Sequence, residues 1–310
     1  MIRTGLLLII TVLIGGAFAQ GWLSDYLSLS PEEVSIQRQR ISALPNHMGE
    51  AISAQFHGMS EVEQNTIRAN LKQQLQPVDN WIQSIALAKP QLLCLGEEHE
   101  QSTRSFLAEK IFSQLQFDTL MLETTPAGLE SIIQGIETNQ SFVPLEGVNI
   151  SPIISAAREK NPILTLTGIE ETMPQRLHRI KQSNTGFRDD TLAQNFWKQF
   201  RPGQRHALIM GALHCGNNAN WLYAQIKQKS PEHLREHLIN VRVFGEYQNE
   251  SLQAMVYFLK EIGMTDKDFV IPDTSLLHPA FKQWFALLEP TLRHYKTLLV
   301  FRTSNYIKAP

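Results

Sequence analysis

The stretch that decides the fold is Leu-Leu-Cys-Leu-Gly-Glu-Glu-His-Glu at residues 92–100, where an apolar run passes directly into acidic residues and a histidine. Four consecutive apolar residues are typical of a strand that is buried on both faces of a parallel sheet. A helical pattern follows, with Phe106, Leu107, Ile111 and Phe112 at helical spacing. A buried strand followed by an amphipathic helix is the repeating unit of α/β folds.

The same alternation recurs along the chain. Further short apolar runs, separated by helical patterns, lie at residues 119–122, 163–166, 207–210, 238–244 and 297–301. We therefore predict an α/β fold with a mostly parallel central sheet that is flanked by helices.

Composition and charge exclude several classes of protein. The 310 residues carry 28 Lys and Arg against 30 Asp and Glu, and 43% of the residues are hydrophobic. This hydrophobic content excludes a disordered chain. The near-neutral balance, without a basic run, argues against nucleic acid as a partner, because phosphate binding requires clustered positive charge.

The first residues have the pattern of a secretory signal peptide. Arg3 supplies a positive charge, residues 5–16 form an apolar run, and Ala17-Phe18-Ala19 gives an A-x-A cleavage pattern. We expect residues 1–19 to be removed and the protein to be secreted or periplasmic, although an uncleaved N-terminal anchor is the alternative. No later segment approaches the roughly 18 uninterrupted apolar residues of a membrane span.

The mature chain divides into two predicted parts. Residues 20–90 are polar and helical in pattern, with a capping box at Ser60–Glu63 and a stop at Pro90, and we predict a helical flank. Residues 91–310 form the predicted α/β domain. Export permits a disulfide between Cys94 and Cys215, but the sequence favours two buried thiols that act as small apolar residues.

Ionisable residues follow four of the apolar runs, at the point where each predicted strand ends. Glu97 and His99 follow the first run, Glu123 the second, Glu170 the third and His214 the fourth. Ligands of parallel α/β sheets bind outside the carboxyl ends of the strands. We therefore expect these side chains to meet at one edge of the sheet.

The spacing of Glu97 and His99 favours a chemical role. If the strand stays extended, both side chains project to the same face, where they can share a metal or Glu97 can orient His99 as a base. A charged helix-capping turn is the alternative. His206, at the other end of its strand, is expected to be structural. Arg188 and Asp189 begin a predicted helix and either support the acidic site, bind an anionic group or form a solvated surface.

Other catalytic motifs are absent from the sequence. It contains no G-x-S-x-G elbow, H-E-x-x-H helix, Walker A loop, G-x-G-x-x-G fingerprint or Cys/His zinc cluster. The remaining chemical groups are Glu, His and Arg, which suit water activation or metal binding rather than covalent catalysis.

The order of these motifs resembles the erythromycin esterase, ChaN, TraB and Tiki superfamily. The resemblance covers roughly residues 91–216 and is carried by Gly96-Glu97-x-His99, Glu123, Arg188-Asp189 with Ala193 and Asn195, and Gly211-x-x-His214. The one-residue gap between Glu97 and His99 is closest to the ChaN pattern, whereas the esterase motif has a two-residue gap.

The resemblance implies an α/β core with its site at the sheet edge. Glu97, His99, Glu123 and His214 would be the catalytic or metal-ligating residues, and Arg188, Asp189 and Glu170 would support them or contact a cofactor. Erythromycin esterase-like members hydrolyse a lactone, Tiki-like members are metal-dependent proteases, and ChaN-like members bind haem and are linked to iron uptake.

Two functional hypotheses follow for the exported protein. The first is a hydrolase that activates water, with or without a divalent metal ion, to cleave an ester or amide bond of a small-molecule or peptide substrate. The second is a ChaN-like protein that binds haem or iron without catalysis. A partner-binding domain with a relic site is a third interpretation, and it predicts that the strand-end residues tolerate substitution.

Overall fold

The structure is a computed structural model that describes residues 47–181, 187–246, 250–288 and 290–306. The predicted signal peptide at 1–19 and residues 20–46 of the predicted flank lie outside this range. Among the described residues, no helix has both the length and the apolar character needed to cross a bilayer. The described residues from 47 to 303 belong to one compact unit.

The described part of the flank is helical and also contributes a short edge strand. Its elements are α1 (His47–His57), α2 (Glu61–Gln74), β1 (Gln76–Pro77) and α3 (Val78–Ala88). The predicted capping box is present, because Ser60 Oγ accepts from the Glu63 backbone and the Glu63 carboxylate accepts from the Ser60 backbone. This reciprocal pair satisfies amide groups that the first helical turn leaves unpaired.

Strands and helices alternate through the rest of the chain. The elements between residues 92 and 199 are β2 (Leu92–Glu97), α4 (Gln101–Phe106, continued by a π-helical turn Leu107–Phe112), β3 (Thr119–Leu122), α5 (Pro126–Glu137), β4 (Pro144–Leu145), β5 (Val148–Asn149), α6 (Ser151–Lys160), β6 (Thr165–Gly168), α7 (Met173–Lys181) and α8 (Arg188–Gln199). They are followed by β7 (His206–Gly211), α9 (Ala212–Cys215), α10 (Leu222–Lys229), α11 (Glu232–Arg235), β8 (Leu238–Gly245), α12 (Glu250–Glu261), β9 (Phe269–Ile271), α13 (Pro279–Leu288), β10 (Thr297–Phe301) and α14 (Thr303–Tyr306), with 3₁₀ turns at Thr274–Leu276 and Pro290–His294.

Eight strands form one mostly parallel sheet in the order β1-β9-β10-β8-β2-β7-β3-β6. The pairs from β10 to β6 are parallel, and the antiparallel pairs join β9 to β10 and β1 to β9. The central strands β2 and β3 are buried along their whole length. The structure therefore has the predicted α/β architecture, with the hydrophobic core on both faces of the sheet.

The strand order brings the chemically interesting strand ends side by side. β7 lies between β2 and β3, and β6 lies next to β3. Glu97 at the end of β2 pairs with Gly211 at the end of β7, and Leu122 on β3 pairs with both Ile209 and Gly168. Neighbouring strands lie about 4.8 Å apart, so the residues after these four ends share one short edge of the sheet.

The third strand lies later in the sequence than its apolar run predicts. The run at residues 163–166 predicts a strand there, but β6 spans Thr165–Gly168 and Ile163 is exposed. The reason is the turn after α6, in which the Leu164 amide donates to the Asn161 carbonyl. Pairing with β3 therefore begins at Thr165.

The two cysteines form a disulfide, so the preference for two buried thiols is wrong. Cys94 on β2 and Cys215 at the end of α9 are both fully buried, and their Cα atoms are 5.6 Å apart, within the usual disulfide range. The one-turn helix α9 follows β7, which is the neighbour of β2, and this brings Cys215 against Cys94. The sequence predicts that both residues are buried but does not contain the strand order that joins them.

Removal of this cross-link should destabilise the protein. The bond joins residues separated by 121 positions, so it restricts the unfolded chain strongly. We expect the double variant Cys94→Ala/Cys215→Ala to lose about 4 kcal/mol of unfolding free energy in a denaturant titration. A titration of the unreduced, denatured wild-type protein for free thiols is the control, and a count of two thiols per chain would contradict the assignment.

Candidate functional site

All seven residues that the sequence singles out lie in one connected cluster at the carboxyl edge of the sheet. Successive contacts of 3.7 Å or less join their side chains. The members of this cluster, called the edge cluster below, are Glu97, His99, Glu123, Glu170, Arg188, Asp189 and His214. The predicted convergence of distant strand ends is therefore present in the structure.

Glu97 is a buried carboxylate that joins a histidine to an arginine. It is 1% exposed, and its Oε1 accepts from Arg104 Nε and Nη2 at 3.1 and 2.9 Å. His99 Nδ1 lies 3.3 Å from the same oxygen. Since Oε1 can only accept, the His99 proton on this side belongs to Nδ1, and Nε2 is the ring nitrogen that faces the rest of the cluster.

The Glu97–His99 contact favours the charged forms of both residues. Burial alone would raise the pKa of Glu97, but hydrogen bonds from His99 and Arg104 and the arginine charge lower it overall. Burial would lower the pKa of His99, but the hydrogen bond to Glu97 and the charges of Glu97 and Glu123 raise it above its ordinary value. His99 is therefore a stronger base than an unperturbed histidine.

The backbone at His99 differs from the extended conformation that the sequence analysis assumed. His99 has a φ of +47°, in the left-handed region that few residues other than glycine adopt. β2 ends at Glu97, and the turn at His99 brings the imidazole back towards the strand end. The two side chains still meet, but they do so because of this turn and not because of strand alternation. Such backbone strain persists where surrounding contacts enforce it.

Glu123 lies at the centre of the edge cluster. Its Oε2 accepts from the Gly211 amide at 2.7 Å and is 3.7 Å from His99 Nε2, while its Oε1 accepts from Arg188 Nη2 at 2.8 Å. A Cβ on Gly211 would be 3.0 Å from His99 Nε2. This contact is tighter than usual, so a side chain at position 211 would require the imidazole to shift by a few tenths of an ångström.

Arg188 joins the two remaining sides of the cluster. Its Nε and Nη2 donate to the Glu170 carboxylate, and its Nη1 lies 3.1 Å from His214 Nε2. The hydrogen bonds to Glu170 raise the pKa of Arg188 above its ordinary value, burial acts against them, and Glu123 adds to the increase. The Arg188 side chain is nevertheless 39% exposed, so it can contact a bound molecule.

His214 is oriented by Asp189 and by the helix that carries it. Asp189 is buried, lies 2.8 Å from His214 Nδ1 and accepts from the Leu222 amide at 2.7 Å. Because Arg188 can only donate, His214 Nε2 accepts and the proton lies on Nδ1. The helix α9 has a single turn and would not be stable alone. The disulfide of Cys215, Asn240 and Tyr295 hold it in place.

Two of these restraints are hydrogen bonds to the ends of α9. Asn240 Nδ2 on β8 donates to the Cys215 carbonyl at 2.9 Å, and the Tyr295 hydroxyl donates to the Ala212 carbonyl. His214 thus lies on a helix that is fixed from β2, β8 and the segment before β10. The sequence shows His214 at a strand end but not this short helix.

Arg104 is the member of the site that the sequence analysis missed. It is completely buried on α4, where it contacts Glu97, and its Nη1 donates to the carbonyls of Leu145 and Val148 at 2.7 and 2.6 Å. Arg104 lies on the same helical stripe as Leu107 and Ile111. A charged residue on an apolar stripe signals a buried ionic partner, and that signal was available in the sequence.

The donor atoms of the edge cluster do not fit a divalent metal ion in this arrangement. Within the described ranges, no group of three or more His, Cys, Asp or Glu side chains is arranged to hold a metal. Glu123 and Glu170 already accept from Arg188, and His214 Nε2 faces the same guanidinium. Glu97 Oε2 is buried and has no hydrogen-bond partner among the described residues, but one carboxylate oxygen is too few for a metal site.

The chain matches no family model, no curated protein and no solved structure. The resemblance to the erythromycin esterase and ChaN group therefore remains a prediction that rests on the motifs of the sequence.

The pairing of Glu97 with His99 predicts a measurable titration. In the wild-type protein, the pKa of His99 from the NMR shift of its ring protons should lie above 6.5. Glu97→Gln removes a negative charge that stabilises the imidazolium, so the pKa should fall. Glu98→Gln is the matched control, because it removes the same charge from a side chain that pairs with Arg242. An equal shift in both variants would contradict the specific pairing.

Proposed function

We propose that the protein is a hydrolase in which His99 activates a water molecule for attack on an ester or amide carbonyl. The observation that carries this proposal is the environment of His99. Its Nδ1 contacts the buried carboxylate of Glu97, and its Nε2 faces the centre of the cluster beside Glu123. The imidazole is 30% exposed, so water and substrate can reach it. A carboxylate that orients a histidine is the usual partner of a histidine base.

The proposed step uses side chains of the edge cluster. His99 Nε2 takes a proton from water as the water oxygen bonds to the carbonyl carbon, and Glu97 stabilises the imidazolium that forms. The tetrahedral intermediate then collapses, the bond to the leaving oxygen or nitrogen breaks, and His99 returns the proton to the leaving group. No covalent enzyme intermediate is required, which agrees with the absence of a nucleophilic serine motif from the sequence.

Arg188 is the group best placed to stabilise the negative charge on the carbonyl oxygen. Its guanidinium is positively charged, partly exposed and fixed by Glu123 and Glu170. A fixed cation at the site of developing charge costs little reorganisation during the reaction. His214 contacts the same guanidinium, and we assign to it the orientation of Arg188.

Replacement of His99 should remove hydrolysis and leave the fold intact. We expect His99→Ala to lower kcat/KM for p-nitrophenyl acetate by about 10²–10⁴, the range for loss of a general base. His233→Ala is the matched control, since His233 is exposed on α11. Circular dichroism verifies that both variants fold. Unchanged turnover in folded His99→Ala would refute the proposal.

Metal removal provides a separate test of the proposed chemistry. The carboxylates of Glu123 and Glu170 already accept hydrogen bonds from Arg188. We therefore expect dialysis against a chelator to leave ester hydrolysis unchanged. Loss of turnover that returns on addition of Zn²⁺ or Mn²⁺ would show that the cluster rearranges around a metal, and the metal-free mechanism would be wrong.

The alternative, haem binding without catalysis, is less favoured by the charges near His99. Among the described residues, the cleft that begins at the edge cluster is lined by three glutamates and by no Lys, Arg or His, whereas haem carries two propionate groups. We therefore expect a haemin titration to give no Soret shift. A shift that disappears in His99→Ala, together with absent ester hydrolysis, would favour the haem interpretation.

A further inference from the structure

A cleft leads directly away from the edge cluster. It has a volume of about 360 Å³ and begins at Glu123 and Glu170, the two carboxylates that hold Arg188. This volume lies in the range of pockets that bind small molecules, about 300–1,000 Å³. The cleft therefore adjoins the proposed reaction centre and has the size of a small substrate group.

The two walls of the cleft differ in chemistry. The wall from α5 and the residues before it carries hydroxyl groups at Thr124, Thr125 and Ser131, together with the buried apolar side chain of Ile132. Much of the opposite wall is apolar, with Val143 and Leu145 buried beside Pro144. A groove with one polar and one apolar side fits a compact amphipathic group.

The outer wall is a preformed hairpin. β4 and β5 pair as a separate two-stranded sheet, and the turn between them has positive φ values at Glu146 and Gly147, as a tight hairpin requires. The Asn149 side chain accepts from the Val143 amide and donates to the Ser141 carbonyl, which fixes the segment before the hairpin. This wall therefore needs little ordering when a ligand binds.

Arg104 connects the hairpin to the reaction centre. The same guanidinium that holds Glu97 also donates to the carbonyls of Leu145 and Val148, on either side of the hairpin turn. The cleft wall and the Glu97–His99 pair are thus positioned by one buried side chain.

The cleft has a clear charge preference. Of the lining residues in the described part of the chain, Glu123, Glu170 and Glu146 are acidic and none is basic. Arg188 neutralises part of the charge at the inner end, whereas Glu146 is exposed at the hairpin turn. An anionic group in the cleft would meet net repulsion, and an ammonium group would meet attraction.

We propose that this cleft holds the acyl group of the substrate and that it selects neutral or cationic acyl groups over anionic ones. The assignment rests on the proposed hydrolase function and refines it. The substrate would be a small-molecule ester or amide rather than an extended peptide, because the cleft accommodates one compact group.

The test of size uses two p-nitrophenyl esters, the acetate and the longer hexanoate. Wild type should prefer the hexanoate, since each methylene withdrawn from water contributes a factor of roughly four. Ser131→Trp fills the cleft from an exposed position, so it should lower kcat/KM for the hexanoate about tenfold more than kcat/KM for the acetate. Gln134→Trp, on the same helix but outside the cleft lining, is the matched control.

The test of charge compares p-nitrophenyl esters of 6-aminohexanoate and of adipate in low salt. Wild type should hydrolyse the cationic ester at least about tenfold more efficiently. Glu146→Gln should reduce this ratio and Glu146→Lys should reduce it further, and salt should screen the effect. Turnover of the acetate is measured for both variants, so that a lost charge preference is distinguished from a general loss of activity.

Different failures have different meanings. If folded wild type hydrolyses none of these esters, the hydrolase function is wrong and the acyl assignment is wrong with it. If the acetate is hydrolysed but Ser131→Trp leaves the hexanoate unchanged, or the adipate ester is preferred, the acyl assignment alone is overturned.

Discussion

The candidate site depends on one topological constraint, which is the position of β7 between β2 and β3. Hydrogen bonds to both neighbours fix the register, so that Glu97 lies opposite Gly211 and Glu123 follows a strand that pairs with the other side of β7. The Gly211 amide then donates to Glu123, and His214 emerges one turn later. A shift of β7 by one residue would separate these groups, because successive side chains point to opposite faces of the sheet.

Two arginines make this concentration of acidic groups compatible with burial. Arg104 pairs with Glu97 inside the core, and Arg188 pairs with Glu123 and Glu170 at the rim. Buried ion pairs contribute little net stability, but removal of one partner costs about 3–5 kcal/mol because the other charge remains buried. We infer that these pairs serve chiefly to orient the site. They differ in exposure, since Arg104 is fully buried and Arg188 remains accessible to substrate.

The sequence predicts much of the fold and the membership of the edge cluster. The apolar runs identify β2, β3, β7, β8 and β10, and the rule that ligands lie at the carboxyl ends of parallel strands brings Glu97, Glu123 and His214 together. The strand order is not contained in these local patterns, because it depends on the packing of helices on both faces. For that reason the Cys94–Cys215 bond could not be derived from the sequence.

Other features escape sequence analysis for more local reasons. β4 and β5 have two residues each, which is too short for any periodicity to appear, and their hairpin is fixed by Arg104 from a distant helix. The turn at His99 depends on a left-handed backbone conformation that histidine seldom adopts. In contrast, Arg104 itself was detectable as a charge on an apolar stripe.

The central claim is that the edge cluster is one reaction centre, in which His99 is the base and His214 orients the Arg188 guanidinium that acts on the same substrate. A double-mutant cycle in ester hydrolysis tests this claim most directly, with kcat/KM measured for His99→Ala, His214→Ala and the double variant. Residues that act as a unit are strongly non-additive, so the double variant should lose no more activity than the more damaging single variant. If the two losses multiply, the imidazoles act independently, and the single shared centre proposed for this edge of the sheet is wrong.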